Sequence, residues 1–169
     1  METTLTAKLK LLTTPAQFAA LRQTQAAYRD ALNLTSQYAF AQGKTSSTKC
    51  LHRALYRQVR TRFGLPSQLA CSVFRQVGTT YKALCTKAKN NAKARRWGHT
   101  KKRFKGLDQA PHYGSPTLTY VYGHDYSLRV GQEVSLLTLA GRIHIPYHGY
   151  RTHVALLQQG ATIGEAKLW

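Results

Sequence analysis

The sequence predicts an α+β protein in which a small β-barrel is split by an inserted three-helix bundle. Three observations lead to this fold class. Residues 4–12 alternate between apolar and polar side chains, three helical stripes of apolar residues lie between residues 14 and 89, and short β-rich runs follow residue 117. The predicted domains are a barrel from residues 4–12 with 117–169, a helical lobe at 14–89 and a basic linker at 90–116.

The first strand is predicted from the stretch TLTAKLKLL at residues 4–12. Ala7 and the leucines recur at every second position with Lys8 and Lys10 between them, which is the period of a half-buried strand. Because a single strand is not stable in isolation, its partners must lie in the β-rich region near the other end of the chain.

The first helix is predicted to begin at Thr14. Pro15 suits the first helical position, and Gln17 completes a capping box with Thr14. The apolar stripe then runs to about residue 42 and consists of Phe18, Leu21, Tyr28, Leu32, Thr35 and Ala39.

Two further helices are predicted at residues 47–63 and 67–89, separated by Gly64 as a stop signal. Leu51, Leu55, Val59 and Phe63 form the buried line of the second, and a longer apolar stripe follows the third. Gly78 lies inside the third helix, where it costs about 1 kcal/mol relative to alanine. It indicates either close packing or a bend.

Five β-rich runs follow the linker, at residues 117–122, 126–130, 133–139, 142–147 and 150–157. A glycine lies in each gap between them, and runs at this spacing are typical of a small barrel or sandwich. The early strand has no other plausible partner, so we expect it to join this region and complete a barrel.

Positive charge is the strongest functional signal. The 169 residues contain 25 Lys and Arg against 6 Asp and Glu, a formal net charge of +19, and no acid occurs between Asp30 and Asp108. Like charges oppose a helix that carries them at neighbouring positions, so the pattern predicts a polyanionic partner. A membrane-binding helix would need a strongly apolar face beside its lysines, which favours nucleic acid over a membrane.

The predicted nucleic-acid-binding residues come from the second and third helices and the linker. The cations are predicted to neutralise phosphates, and three aromatic residues among them are candidates for stacking on bases. For Trp97 and Phe104 the alternative is that they anchor the linker to the core. The full set is Arg53, Tyr56, Arg57, Arg60, Arg75, Lys82, Lys87, Lys89, Lys93, Arg95, Arg96, Trp97, Lys101, Lys102, Arg103, Phe104 and Lys105.

Neither a catalytic site nor a metal site is predicted. The six acids are scattered singly, whereas two-metal cleavage of a phosphodiester needs several carboxylates together. His144, His148 and His153 lack the spacing of a metal site. The three cysteines are odd in number and form no C-x-x-C pair, so we expect small buried residues. Without a long apolar run or a signal-peptide pattern, the sequence predicts a cytoplasmic protein.

Three stretches carry a resemblance to a known family: KLKLLTTPAQ (8–17), RFGLPSQLA (62–70) and YSLRVGQEVSLLTLAGRIHIPY (126–147). In this order they resemble the amino-terminal part of the TnpB or OrfB family of insertion sequences. These are RNA-guided DNA nucleases related to type V CRISPR effectors. The resemblance covers nearly the whole chain, and its most specific part is the strand pair joined by Ala140 and Gly141.

The resemblance implies a wedge-type β-barrel split by a helical recognition lobe, which together hold a guide RNA and its target DNA. In such systems base pairing reads the sequence and the protein reads the backbone and a short adjacent motif. Full-length members also carry a RuvC-like nuclease domain that binds Mg²⁺ and Zn²⁺, for which this sequence has no counterpart. The chain alone is therefore expected to need no cofactor and to cleave nothing, with the nuclease domain missing or separately encoded.

The alternative is a stand-alone DNA-binding regulator with a helix-turn-helix around Gly64, Leu65 and Pro66. The turn length suits that motif, but a recognition helix should present base-reading side chains near its amino end. Ser67 and Gln68 offer few such contacts, and the β region has no role in this interpretation.

Overall fold

The computed structural model describes residues 4–115 and 117–169, and it confirms an α+β protein. The elements in chain order are β1 (Leu9–Leu11), α1 (Pro15–Ala41), α2 (Thr48–Phe63), α3 (Ser67–Arg96), β2 (Leu118–Tyr120), β3 (Tyr126–Arg129), β4 (Glu133–Thr138), β5 (Gly141–Gly149), α4 (Arg151–Gln158) and β6 (Ala166–Leu168). They form a sheet unit, containing residues up to Thr24 and Thr119–Leu168, and a helical unit, Gln25–Leu118.

The sheet unit is built on a four-stranded antiparallel sheet in the order β1-β5-β4-β3, and β2 pairs with β6 in a second sheet. Leu9 lies opposite Gly149 and Leu11 opposite Tyr147, so the early strand does find its partner in the late β region. It is shorter than predicted, with three residues instead of nine. The backbone amide of Leu12 extends the pairing by donating to the carbonyl of Pro146 at 2.9 Å.

One face of the four-stranded sheet forms the core of this unit. Val134 and Leu136 of β4 and Ile145 and Tyr147 of β5 are buried, because alternate residues of a strand point to the same face. Tyr120 of β2 is also buried, and its hydroxyl donates to the carbonyl of Leu137 at 2.8 Å. A buried tyrosine keeps its hydroxyl bonded, since an unpaired one would be costly.

The strand predicted at residues 150–157 is wrong, because this stretch forms the helix α4. The amide of Val154 donates to the carbonyl of Tyr150 at 3.0 Å, the bond of a first helical turn. Ala155, Leu156 and Leu157 are strong helix formers and do not alternate with polar residues. β5 ends at Gly149, so the helical preference of the residues after it does not conflict with the strand.

The capping box at the start of α1 is confirmed. The Thr14 amide donates to Gln17 Oε1 at 3.0 Å, and the Gln17 amide donates to Thr14 Oγ1 at 3.3 Å. Gln17 Nε2 also donates to the carbonyl of His144 at 2.9 Å, which ties the helix start to β5. The buried stripe of α1 begins one turn later than predicted, at Leu21, because Phe18 is 57% exposed.

The helical unit packs α2 against α3 across a short turn. Gly64 ends α2 with a φ of 65°, and its amide donates to the carbonyl of Arg60 at 3.1 Å. The left-handed conformation explains why glycine occupies this position. The predicted buried line of α2 is present at Leu51, Leu55 and Val59, but Phe63 is only half-buried. On α3 the buried apolar residues are Leu69, Ala70, Val73, Phe74, Val77 and Tyr81.

Helix α3 continues to Arg96, seven residues past its predicted end at residue 89. Apolar periodicity stops before this extension, but alanine, lysine and arginine sustain a helix through their intrinsic propensity. The cysteines also differ from expectation. Cys50 is exposed, whereas Cys71 and Cys85 are partly buried, and all three are free thiols.

Gly78 marks close packing and not a bend. A Cβ atom at this position would lie 2.8 Å from Thr48 Oγ1 and 2.9 Å from the carbonyl oxygen of Ser46, so the chain entering α2 leaves no room for a methyl group. Space, and not backbone conformation, therefore excludes larger residues.

We expect Gly78→Ala to lower the free energy of unfolding by about 1–3 kcal/mol, the usual cost of overpacking. Helix propensity alone would raise it by about 1 kcal/mol. Urea denaturation measures the difference in the free energy of unfolding between Gly78→Ala and the unmodified protein. Thr79→Ala, at the exposed neighbouring position of α3, is the control and should be neutral or stabilising. A stabilised Gly78→Ala protein would contradict the close contact.

Tyr126 makes the sheet unit sensitive to alkali. Its hydroxyl donates to the carbonyl of Gly164 at 2.6 Å. Burial raises its pKa from 10.0 to about 12, with smaller contributions from Tyr122 and Glu165. Since the folded state holds this proton more tightly than the unfolded state, the stabilisation is complete below pH 10 and is lost as pH rises to about 12.

We therefore expect the free energy of unfolding to fall between pH 10 and 12, and to fall less steeply in Tyr126→Phe, which cannot ionise. Urea titrations across this range measure both slopes. Burial also raises the pKa of Tyr120, so the free energy of unfolding of Tyr126→Phe should still depend on pH to some extent. The exposed Tyr150 provides the control, and equal slopes for Tyr126→Phe and Tyr150→Phe would be incompatible with this role.

Candidate nucleic-acid interface

Four cations form one stripe along α2. Lys49, Arg53, Arg57 and Arg60 follow one another at intervals of four, four and three residues, which places them on the same face of a helix. All four are exposed. This face is opposite the buried line of Leu51, Leu55 and Val59, which packs against the rest of the helical unit. We call these four residues the α2 stripe.

Tyr56 contacts one residue of the α2 stripe, Arg60. Arg60 Nη1 donates to the Tyr56 hydroxyl at 3.2 Å, and the guanidinium lies 5.9 Å from the centre of the ring. The His52 ring stacks on Tyr56 with centroids 4.6 Å apart. His52 and Arg60 thus contact the ring from within the chain. The stacking of Tyr56 on a base stays a prediction.

A second stripe follows α3. Arg75, Lys82, Lys89, Lys93 and Arg96 recur at intervals of seven, seven, four and three residues, which keeps them on one helical face, and all are exposed. We call these five residues the α3 stripe. The other two predicted cations of α3, Lys87 and Arg95, are exposed but lie on other sides of the helix. Arg75 also donates to Ser72 Oγ at 3.0 Å.

The end of α3 presents an open aromatic ring. Trp97 is 61% exposed, and its amide caps the helix by donating to the carbonyl of Lys93 at 3.1 Å. Lys93 Nζ lies 4.6 Å from the centre of the Trp97 ring, and the His99 ring meets it edge-on at 6.1 Å. Its exposure fits stacking on a base better than anchoring to the core.

Phe104 is placed differently. Its side chain is half-buried, and its ring lies so close to Gly106 that a Cβ atom there would clash with Phe104 Cζ. Its amide donates to Asn91 Oδ1 at 2.9 Å. The arrangement favours the alternative interpretation, in which this residue anchors the segment that follows α3, residues 97–115, which we call the basic segment.

Two asparagines hold the segment that follows α3. Asn91 Nδ2 donates to the carbonyl of Lys102 at 3.0 Å while Asn91 Oδ1 accepts from Phe104. Asn33 of α1 does the same for Tyr113, donating to its carbonyl at 3.1 Å and accepting from its amide at 2.8 Å. Each amide side chain replaces the hydrogen-bonding partner that a neighbouring strand would supply.

The segment therefore lies against the helices with its cations outward. Lys101, Lys102, Arg103 and Lys105 are exposed. Ser36 Oγ donates to the carbonyl of Pro111 at 2.7 Å and adds a third attachment. These contacts have no strong signal in the sequence, since an asparagine within a helix is only weakly informative.

The helical unit carries little negative charge. Residues 25–118 contain eighteen Lys and Arg and two acids, Asp30 and Asp108. Asp30 pairs with Arg29 at 2.9 Å, and Asp108 pairs with Arg103. Both carboxylates are thus already engaged by an arginine, and neither neutralises a residue of the α2 or α3 stripe.

The sheet unit contains histidines but no metal cluster among the residues described. His144 Nδ1 lies 3.2 Å from Glu133 Oε1 on the neighbouring strand. No group of three or more His, Cys, Asp or Glu in residues 4–115 and 117–169 is arranged to hold a metal ion. No helix within these ranges combines the length and the apolar character that crossing a membrane requires.

Comparison with known proteins adds no assignment to this surface. No protein-family model matches the chain, and no curated protein matches it. The candidate interface is therefore defined by the charge and geometry of its own residues.

The Asn91 contacts lead to a prediction about protease sensitivity. Removing them in Asn91→Ala should free the backbone around Lys102 and Phe104, because local opening requires the loss of few other contacts there. We expect faster tryptic cleavage at residues 101–105, measured by mass spectrometry of timed digests.

Asn90→Ala provides the matched control, since Asn90 is the exposed neighbour and makes no side-chain hydrogen bond among the described residues. Its digestion should match the unmodified protein. Equal cleavage rates for both variants would show that the Asn91 side chain does not hold the segment.

Proposed function

We propose that this chain binds nucleic acid as the guide-RNA- and target-DNA-binding part of a transposon-encoded RNA-guided DNA nuclease of the TnpB type. One observation carries the nucleic-acid part of the proposal. The helical unit has eighteen cationic side chains and two acids, and both acids are paired with arginine. Such an excess is neutralised most completely by a polymer of phosphates.

The order of the elements supports the more specific part of the proposal, the TnpB-type assignment. The short strand β1 pairs with β5, and in chain order three helices separate β1 from the other strands. A wedge-type barrel divided by a helical lobe would have this order of elements. We propose that the strands of the sheet unit form such a barrel, and that residues 8–17, 62–70 and 126–147 carry the family resemblance.

In this proposal the α2 and α3 stripes and the basic segment contact phosphates. Trp97 stacks on a base, and Arg60 is oriented by Tyr56. The described residues supply binding and not cleavage. The Mg²⁺ and Zn²⁺ of the family belong to its nuclease part, and the chain acts in the cytoplasm beside the nucleic acid that it holds.

Binding measurements against three probes test the proposal: a structured RNA from the neighbouring genomic region, a mixed-sequence DNA duplex and a palindromic duplex. We expect the structured RNA to bind most tightly. If six to ten phosphates are contacted, affinity should fall by roughly 10³–10⁵ between 50 and 200 mM salt. No cleavage should occur with added Mg²⁺. A salt-independent affinity would contradict phosphate binding, and tightest binding to the palindrome would indicate a DNA-binding regulator instead.

Single charge removals test whether the stripes, and not net charge, bind the polyanion. Arg57→Gln removes an exposed α2-stripe cation, so affinity should fall similarly for all sequences and the slope of log K against log salt should decrease by about 1. Fluorescence titrations at several salt concentrations measure both quantities.

Arg29→Gln is the control with the same change in net charge, because Arg29 already pairs with Asp30. We expect a much smaller effect on the salt slope. Equal effects of the two substitutions would mean that overall charge, and not the α2 stripe, accounts for binding.

A further inference from the structure

A shallow cavity of about 290 Å³ lies in the helical unit beside the α2 stripe. It is lined by Tyr38 of α1 and by Lys49, Cys50, Arg53 and Ala54 of α2. We call it the Tyr38 cavity. Its size is at the lower end of the range of about 300–1,000 Å³ for small-molecule sites, so it suits a single small unit of a larger ligand.

Three polar side chains of the Tyr38 cavity have no hydrogen-bond or ion-pair partner among the described residues. Tyr38, Lys49 and Arg53 make no side-chain hydrogen bond or ion pair there. By contrast, Tyr56 is occupied by Arg60. The Tyr38 ring is partly exposed, so its surface remains open to a ligand.

The charge of the cavity selects an anion. Lys49 and Arg53 are one helical turn apart, both are exposed, and no acid lines the cavity. The two acids of this unit are paired elsewhere, with Arg29 and Arg103. Two unpaired cations beside an aromatic ring match a phosphate linked to a flat, stackable group.

We propose that the Tyr38 cavity binds one nucleotide unit, with its base against the Tyr38 ring and its phosphate between Lys49 and Arg53. The inference rests on the proposed function, and it adds a specific site to a surface otherwise defined by charge. The nucleotide is either one unit of a bound polynucleotide or a free mononucleotide, since both present the same chemistry.

Cys50 provides a direct reporter, because it is an exposed free thiol in the cavity wall. Its rate of maleimide labelling is measured by peptide mass mapping, alone and with a mixed-sequence oligonucleotide, adenosine monophosphate or inorganic phosphate. The partly buried Cys71 and Cys85 serve as internal references. We expect the oligonucleotide to slow labelling of Cys50 more than that of either reference thiol, since Cys71 and Cys85 lie one turn from residues of the α3 stripe.

The probes distinguish the two sources of nucleotide. Protection by the oligonucleotide alone assigns the cavity to a polynucleotide unit, and equal protection by adenosine monophosphate assigns it to a free nucleotide. Protection by inorganic phosphate to the same extent would overturn the role of the Tyr38 ring, because no base would then be required.

Substitution of the ring gives a second measurement. Tyr38→Ala should weaken oligonucleotide binding by about 5- to 150-fold, the effect of losing one stacked base. Tyr38→Phe keeps the ring and should bind as the unmodified protein does, with Cys50 still protected. This second variant retains the packing of the ring, so it tests the inference even where Tyr38→Ala does not fold.

Failure of the inference is distinguishable from failure of the proposed function. If the unmodified protein binds the oligonucleotide with a steep salt dependence but Cys50 labels equally fast with and without it, the Tyr38 cavity is not a nucleotide site and the wider interface remains. If the protein binds no nucleic acid probe, both are overturned.

Discussion

The helical unit must hold many like charges together with almost no counter-charge. Two unit charges 4 Å apart in water repel by about 1 kcal/mol, and salt screens more distant pairs. Full burial of a leucine, by comparison, contributes about 1.5–3 kcal/mol. The fully buried Leu51 and Leu69 and their neighbours therefore outweigh the repulsion. Because this core occupies one side of each helix, the α2 and α3 stripes lie on the side away from it.

The same constraint explains how the basic segment is held. Residues 97–115 have no apolar periodicity, so a hydrophobic face cannot order them. Asn33 and Asn91 order them through backbone hydrogen bonds, and the half-buried Phe104 adds an apolar contact. Polar attachment leaves the side chains of Lys101, Lys102 and Lys105 exposed, whereas an apolar attachment would compete with them for the surface.

The elements that could be predicted are those specified by local pattern. The Thr14–Gln17 capping box, the α2 boundaries and the pairing of the first strand with the late β region follow from capping chemistry, helical periodicity and the need of a lone strand for a partner. The stretch 150–157 was misassigned because short apolar runs suit either a strand or a helix. The end of α3 was placed too early because propensity alone sustains its last two turns.

The sequence by itself determined the α+β class, the positive charge of the helical unit and the spacing that aligns the cations, because periodicity and charge are properties of the chain before it folds. Only the tertiary structure decided which aromatic rings are open. Tyr56 is occupied by His52 and Arg60, Trp97 is exposed, and Tyr38 faces a cavity completed by α2. The physical reason is that the exposure of a ring depends on which neighbours pack on it, and for Tyr38 these come from another helix.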